Sequence, residues 1–361
     1  MNEKEKQLFK ELCKFKNSWN DPSLIEFATP AVLGHLFFNR MQGVAYDTLK
    51  RSGLLGKVNR EFRNSLRAAY DQNVQKNQSF YKCVDRLSQI LSSQNGKVAM
   101  LKGAYLCAHY PDGYRTSNDV DLLVLPKDVT TIGALLSANG FEQGIIRDGE
   151  FIPATRKEII ESKMMRGETV PYIKEVNLPC MKFFEVDINF SLDYKNGNSN
   201  VLADMLSKVC MKEEKGVSIP TLSDADFFLH LCAHLYKEAT TLPWIEMHRD
   251  MTLYKYCDIY MLLLEMDEKQ LLRVFDRAKV LSMEKVCAYA ILETSGLFDI
   301  DHTLARSMAC AILKDDPNFC LKVVSPKDKK LLMYQTANAT ERFFMDSRAK
   351  DLKEVKLDEA A

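Results

Sequence analysis

One strand constrains this chain more than any other segment. Asp119-Val120-Asp121-Leu122-Leu123-Val124-Leu125 opens with two carboxylates and runs on in unbroken apolar residues. Successive side chains of a strand face opposite ways, so residues i and i+2 project together, roughly 6–7 Å apart along the chain. Asp119 and Asp121 therefore share a face. The residues after them are apolar on both faces, as in a strand buried in the middle of a sheet. A solvated edge strand would continue with polar residues on one side, and this one does not. Two like charges then stand at the rim of a sheet, where a hard cation is the usual compensation.

The surroundings read as an α/β core between helical regions. Leu8, Phe9 and Leu12 recur at helical spacing. A longer pattern from about Lys57 to Ser93 carries Phe62, Leu66, Phe80, Val84, Leu87 and Leu91, as one helix or two in series. The texture changes at Asn95-Gly96. Lys97 to Leu101 is a short apolar strand, Gly103 starts a helix, and a helix from about Lys127 to Asn139 closes at Gly140. Phe141 to Arg147 reads as a strand and Arg156 to Met165 as a helix. Thr169 to Val176 and Met181 to Leu192 form a strand-turn-strand pair. After Asn196-Gly197-Asn198 the pattern is helical again. The expected division is a helical region over 1–95, the α/β core over 96–195, a helical domain over 196–350 and a charged, fraying tail over 351–361.

Composition narrows the setting. Lys plus Arg and Asp plus Glu each number 49, so net charge argues for neither a nucleic-acid nor a membrane partner. The ten cysteines include no Cys-x-x-Cys pair, and most sit among apolar neighbours, as small buried residues do in a reducing cytosol. The charged N-terminus and the lack of any apolar run of about 18 residues read as a cytoplasmic, non-membrane protein.

Two further elements bear on the acidic strand. In Met181 to Leu192, Glu185, Asp187 and Asn189 share one face and Val186, Ile188 and Phe190 the other. Beside the first strand this would add a third carboxylate; alternatively it is an ordinary one-sided antiparallel strand. In Leu101-Lys102-Gly103-Ala104 a strand runs into glycine and a helix start, which lets backbone N–H groups approach a phosphate. Lys102 is either a phosphate contact or a surface lysine.

Together these elements resemble the nucleotidyltransferase superfamily related to DNA polymerase β, with its apolar strand, Gly-Ser turn, Asp-x-Asp strand and later carboxylate. More narrowly, Leu101 to Val124 (LKGAYLCAHYPDGYRTSNDVDLLV) is similar to the bacterial group of uncharacterised nucleotidyltransferases of the NTP_transf_5 type. Members read Leu-Lys-Gly-Ala, Tyr-Pro, then Arg-Pro-x-x-Asp-Ile-Asp-Leu-Leu-Val. Their later Val-Glu-Leu-His-Trp aligns with Val186-Asp187-Ile188-Asn189-Phe190, a register that makes Asp187 rather than Glu185 the third ligand. A C-terminal match spans Leu229 to His234 and Tyr254 to Leu263. The chain departs from the pattern where Ala104 replaces the superfamily serine, where Asn189 replaces histidine and where Thr116 replaces proline.

The resemblance implies an α+β fold, a small mixed sheet flanked by helical regions. It implies Mg²⁺ or Mn²⁺ held by Asp119, Asp121 and Asp187, in two-metal enzymes of this kind about 3.5–4 Å apart. A nucleoside triphosphate would be the donor, with Lys102, Gly103 and Arg115 near its phosphates; Arg115 could equally tie its loop to an aspartate. Glu185, Asn189, His234 and Asp258 are further cleft candidates. His230 and His234 share a helix face, but the pattern lacks the glutamate and third ligand of a zinc site. The acceptor is unidentified, a small molecule rather than a macromolecule. Competing readings are a regulatory nucleotide-binding module without turnover and a toxin- or defence-type enzyme acting on tRNA or protein. A metal-dependent phosphohydrolase is more remote, because no histidine lies near these strands.

Overall fold

The structure is a computed structural model that describes residues 1–14, 21–94, 98–165, 167–192, 199–299 and 302–355. The break at Asn95-Gly96, Lys97, the turn Asn196-Gly197-Asn198 and tail residues 356–361 lie outside the described residues. The chain divides into two compact units, one of residues 67–227 and one in which 1–66 and 228–361 come together.

The unit of residues 67–227 is built on a six-stranded mixed sheet. Its strands are β1 (Val98–Met100), β2 (Asp119–Val124), β3 (Glu142–Arg147), β4 (Glu150–Pro153), β5 (Tyr172–Leu178) and β6 (Met181–Asn189). They lie in the order β1-β2-β6-β5-β3-β4. Within this sheet β2 and β6 pair in parallel, and the other neighbouring pairs are antiparallel. As the apolar run requires, β2 is central, and Val120, Leu122, Leu123 and Val124 are fully buried. The pattern from Lys57 to Ser93 resolves into one helix, Arg60–Leu91. Its Phe80, Val84, Leu87 and Leu91, at three- and four-residue spacing, join the core formed by Val120, Leu122, Val186 and Ile188. The helices Val129–Ala138 and Arg156–Met165 stand where periodicity places them.

Two short sheets depart from the helical reading after residue 198. The helix Ser199–Leu206 leads into the hairpin of β7 (Cys210–Glu214) and β8 (Val217–Thr221). Lys215 and Gly216, at φ 49° and 77°, make its two-residue turn, and positive φ at both positions suits a tight hairpin. Ile219 and Val217 of β8 enter the core, and the Thr221 hydroxyl donates to the Met100 carbonyl of β1 at 2.6 Å. Strand signals this short are outweighed in the sequence by the helical periodicity around them.

The second unit is mainly helical, with a three-stranded sheet of β9 (Lys322–Ser325), β10 (Lys330–Tyr334) and β11 (Leu352–Glu354). Residues 352–354, read from their charge as part of a fraying tail, are thus paired to β10. Just before them Arg348 makes a buried two-point contact with Asp250, at 2.6 and 2.7 Å. Such a pair anchors the segment because removing either partner strands a buried charge. Among the described residues no helix is long and apolar enough to cross a membrane.

Candidate active site

The parallel pairing of β2 with β6 sets Asp119 opposite Glu185, Asp121 opposite Asp187 and Leu123 opposite Asn189. Paired strands lie about 4.8 Å apart, so the carboxylates form two facing rows on one side of the sheet. On the other side Val120, Leu122, Val186 and Ile188 are fully buried, which fixes the face the acidic side chains take. Residues 167–169 run along the end of β6: Phe190 donates to the Gly167 carbonyl and Thr169 to that of Ile188, both at 2.9 Å. That path brings Glu168 to the cluster.

Burial, and after it the crowding of like charge, shows in proton affinity. Burial, then the charges of Asp121, Asp119, Glu168 and Glu185, push the Asp187 carboxyl up to about 8. Burial and Asp119 also raise Glu185 above the usual carboxylate range. Internal donors hold the other two acids. The Ser117 hydroxyl donates to Asp119 Oδ1 at 2.6 Å. Lys102 Nζ and Asn189 Nδ2 both donate to Asp121 Oδ1, at 3.1 and 3.2 Å. Among the described residues no three His, Cys, Asp or Glu side chains are grouped closely enough to hold a metal ion in this arrangement. The carboxylates meet at one rim, but Asp119 and Asp121 are turned toward donors of the protein itself. The donor set is nonetheless that of a hard divalent cation: oxygen ligands on neighbouring strands, with excess negative charge to neutralise.

The turn before the site differs from the expected phosphate cradle. Lys102 has φ 46°, in the left-handed region that costs a side-chain-bearing residue of order 1–3 kcal/mol. This backbone turn accompanies the pairing of its ammonium with Asp121. At Gly103 the space a Cβ would need is taken by Ser117, whose Oγ and Cβ would lie 2.6 and 2.7 Å away. The glycine is thus required by a close approach, but the approaching group is this chain's own serine. Arg115 is buried, and its guanidinium donates to the Thr116 carbonyl at 2.5 Å, so it holds its own loop. Asn189, Glu185 and Asp187 are together at the rim. His234 and Asp258 belong to the other compact unit. There His234 Nε2 lies 3.5 Å from Glu238, which also pairs with Lys255, while Asp258 and His230 are buried.

Ser117 and Glu168 escape the sequence reading. Ser117 stands two residues before Asp119, a spacing visible in the sequence, but its role depends on contact with Gly103 across the fold. Glu168 lies in a polar stretch with no strand pattern. Asp187 also lines a cavity of about 630 Å³.

A mixed sheet whose two parallel neighbours bring carboxylates to one rim defines the class, a nucleotidyltransferase-type core. The chain belongs to the uncharacterised nucleotidyltransferase family NTP_transf_5, whose model matches residues 29–299. Among solved structures it is similar to an antigenic nucleotidyltransferase-like protein from Paracoccidioides brasiliensis, at 17% identity and a TM-score of 0.34, over 56% of this chain and 90% of that one. No curated protein matches the chain.

This geometry has two measurable consequences for stability. Gly103→Ala should lower it by about 1–3 kcal/mol through overpacking, and Ser117→Gly in the same chain should restore most of the loss; thermal melts of the single and double variants check this. Asp187 has an ordinary value of 3.8, raised in the fold to about 8. Its contribution to stability is therefore complete below about pH 4 and is lost as pH rises toward 8, because the unfolded chain ionises first. With chelator present, Asp187→Asn should melt like wild type near pH 4 and become more stable by about 1–3 kcal/mol above pH 8, a figure discounted for partial exposure.

Proposed function

We propose that this protein is a metal-dependent nucleotidyltransferase that moves an NMP group from a nucleoside triphosphate to an acceptor hydroxyl. The observation that carries the reading is the in-register placement of Asp121 beside Asp187 on parallel strands, with Asp119 on the same face. Asp119, Asp121 and Asp187 would hold the Mg²⁺ or Mn²⁺, which when bound neutralises the triphosphate and favours loss of pyrophosphate. The acceptor oxygen forms its bond to the α-phosphorus, the bond from that phosphorus to the bridging oxygen breaks, and pyrophosphate departs with the electron pair.

The remaining work falls to the chain itself. Asp187 would take the proton of the acceptor hydroxyl as the new bond forms. Asn189 orients Asp121 and Ser117 orients Asp119 through the hydrogen bonds described. Lys102, which pairs with Asp121 in this structure, would offer its ammonium to a phosphate. The cavity beside Asp187 favours a small acceptor over a macromolecule, and ten cysteines held as thiols favour a reducing, cytoplasmic setting.

One observation favours a second reading, a nucleotide-binding module without turnover: Lys102 already partners Asp121, and no trio of ligands is preformed among the described residues. A single experiment separates the two. Purified protein is incubated with each α-labelled NTP, Mg²⁺ or Mn²⁺, and a cell extract, beside the Asp119→Ala, Asp121→Ala double variant. Transfer is expected from at least one NTP and should fall at least about a hundredfold in the variant. Transfer that survives the double substitution would contradict the mechanism, and nucleotide binding without any transfer would favour the module.

A further inference from the structure

The acidic rim is held in part by a cation of the chain itself. Lys102 Nζ donates to Asp121 Oδ1 at 3.1 Å, and Asn189 Nδ2 donates to the same oxygen at 3.2 Å. Both side chains of the ion pair are sheltered, Lys102 at 18% and Asp121 at 15% exposure. Water and salt screen such a pair less than one on the open surface. The backbone on either side of the lysine is pinned. Leu101 N–H donates to the Asp121 carbonyl and Leu106 N–H to the Lys102 carbonyl, both at 2.9 Å. Lys102 itself is kept at φ 46°, a left-handed conformation that persists in a side-chain-bearing residue only where its surroundings impose it.

The place of this ammonium conflicts with a second cation at the same oxygen. A divalent ion sits about 2–2.6 Å from a ligating oxygen. Around Asp121 Oδ1 every such point lies within about 5.7 Å of Lys102 Nζ. Two cations that close, in a sheltered setting, repel strongly. Lys102 and Asn189 also both direct N–H groups at that oxygen, where a ligand bond would have to form. Moving the ammonium away needs no change in the turn. The lysine stem is four carbons long and flexible, so it can swing out while the pinned backbone stays where it is.

We infer that Lys102 is an internal competitor for the divalent cation, an autoinhibitory contact that must swing out before Asp121 can become a ligand. This rests on the metal-dependent reading proposed above. The apparent affinity for the ion is lowered by the fraction of molecules in which the lysine has left, so the chain sets the ion concentration at which its own site fills. In the metal-free chain the same ammonium offsets the repulsion among the carboxylates and braces the rim. Its departure would also free it for the phosphate contact proposed above.

The test is calorimetric titration of Mn²⁺ into the full-length protein, without nucleotide, near pH 8. Lys102→Met removes the charge and keeps most of the stem, and should bind Mn²⁺ at least about tenfold more tightly than wild type. Lys102→Arg keeps the charge and should stay within about threefold of wild type. In an Asp121→Asn background the same Lys102→Met change should gain less than about threefold, which ties the effect to this pair. With chelator present, Lys102→Met should melt about 2–4 °C below wild type, because the rim has lost its brace. Lys102→Gly, which the left-handed backbone accepts, gives the same metal reading should Lys102→Met fold poorly. Mn²⁺ binding by Lys102→Met equal to or weaker than that of wild type, an equal gain in Lys102→Arg, or metal-free melting at or above wild type would overturn the inference and leave the metal site standing. No Mn²⁺ binding by any of these proteins would overturn the metal-dependent reading, and the inference with it.

Discussion

The parallel pairing of β2 with β6 is the constraint on which the site depends. It sets Asp121 against Asp187 and Asp119 against Glu185, one strand spacing apart. Side by side in a half-buried setting, such groups oppose folding: burial first, and then their mutual charge, raises the proton affinity of Asp187 and Glu185. What holds them there is the reverse face. Val120, Leu122, Val186 and Ile188 are fully buried, and a slip of one residue would send them to the rim and the acids into the core. Apolar burial thus enforces an electrostatic conflict, an arrangement expected where charge is kept for binding.

The chain manages the conflict with its own donors. Lys102 and Asn189 converge on one oxygen of Asp121, and Ser117 takes Asp119. The turn carries Lys102-Gly103-Ala104 with no serine after the glycine, and Asn189 follows Asp187 by two residues on the same face of β6. Ser117 reaches Gly103 from the loop before β2, so a hydroxyl still meets that glycine, although it serves Asp119. The result is a satisfied resting state, in which an internal ammonium faces the carboxylate that a metal would claim.

How much of this is legible in the sequence depends on how local the signal is. The buried strand at Asp119 is legible because burial on both faces is written in consecutive residues, and the helix of residues 60–91 because its period persists over many turns. Asp187 is only half legible: spacing puts Glu185, Asp187 and Asn189 on one face, but which of them faces Asp121 is a matter of register, a tertiary property. The hairpin of β7 and β8 and the pairing of β11 are hidden because strands of three to five residues leave little pattern. The link from Lys102 to Asp121 joins residues far apart in the chain and leaves no trace in local pattern.

The central claim is that the two rows of carboxylates share a divalent cation, and direct binding of Mn²⁺ monitored by electron paramagnetic resonance tests it most closely. Free Mn²⁺ gives a six-line spectrum that collapses when the ion is held by carboxylates. Wild-type protein near pH 8 should deplete the free signal saturably, and Asp121→Asn and Asp187→Asn should each weaken binding at least about tenfold. Equal depletion by wild type and both variants, or none by wild type at millimolar ion, would contradict the claim.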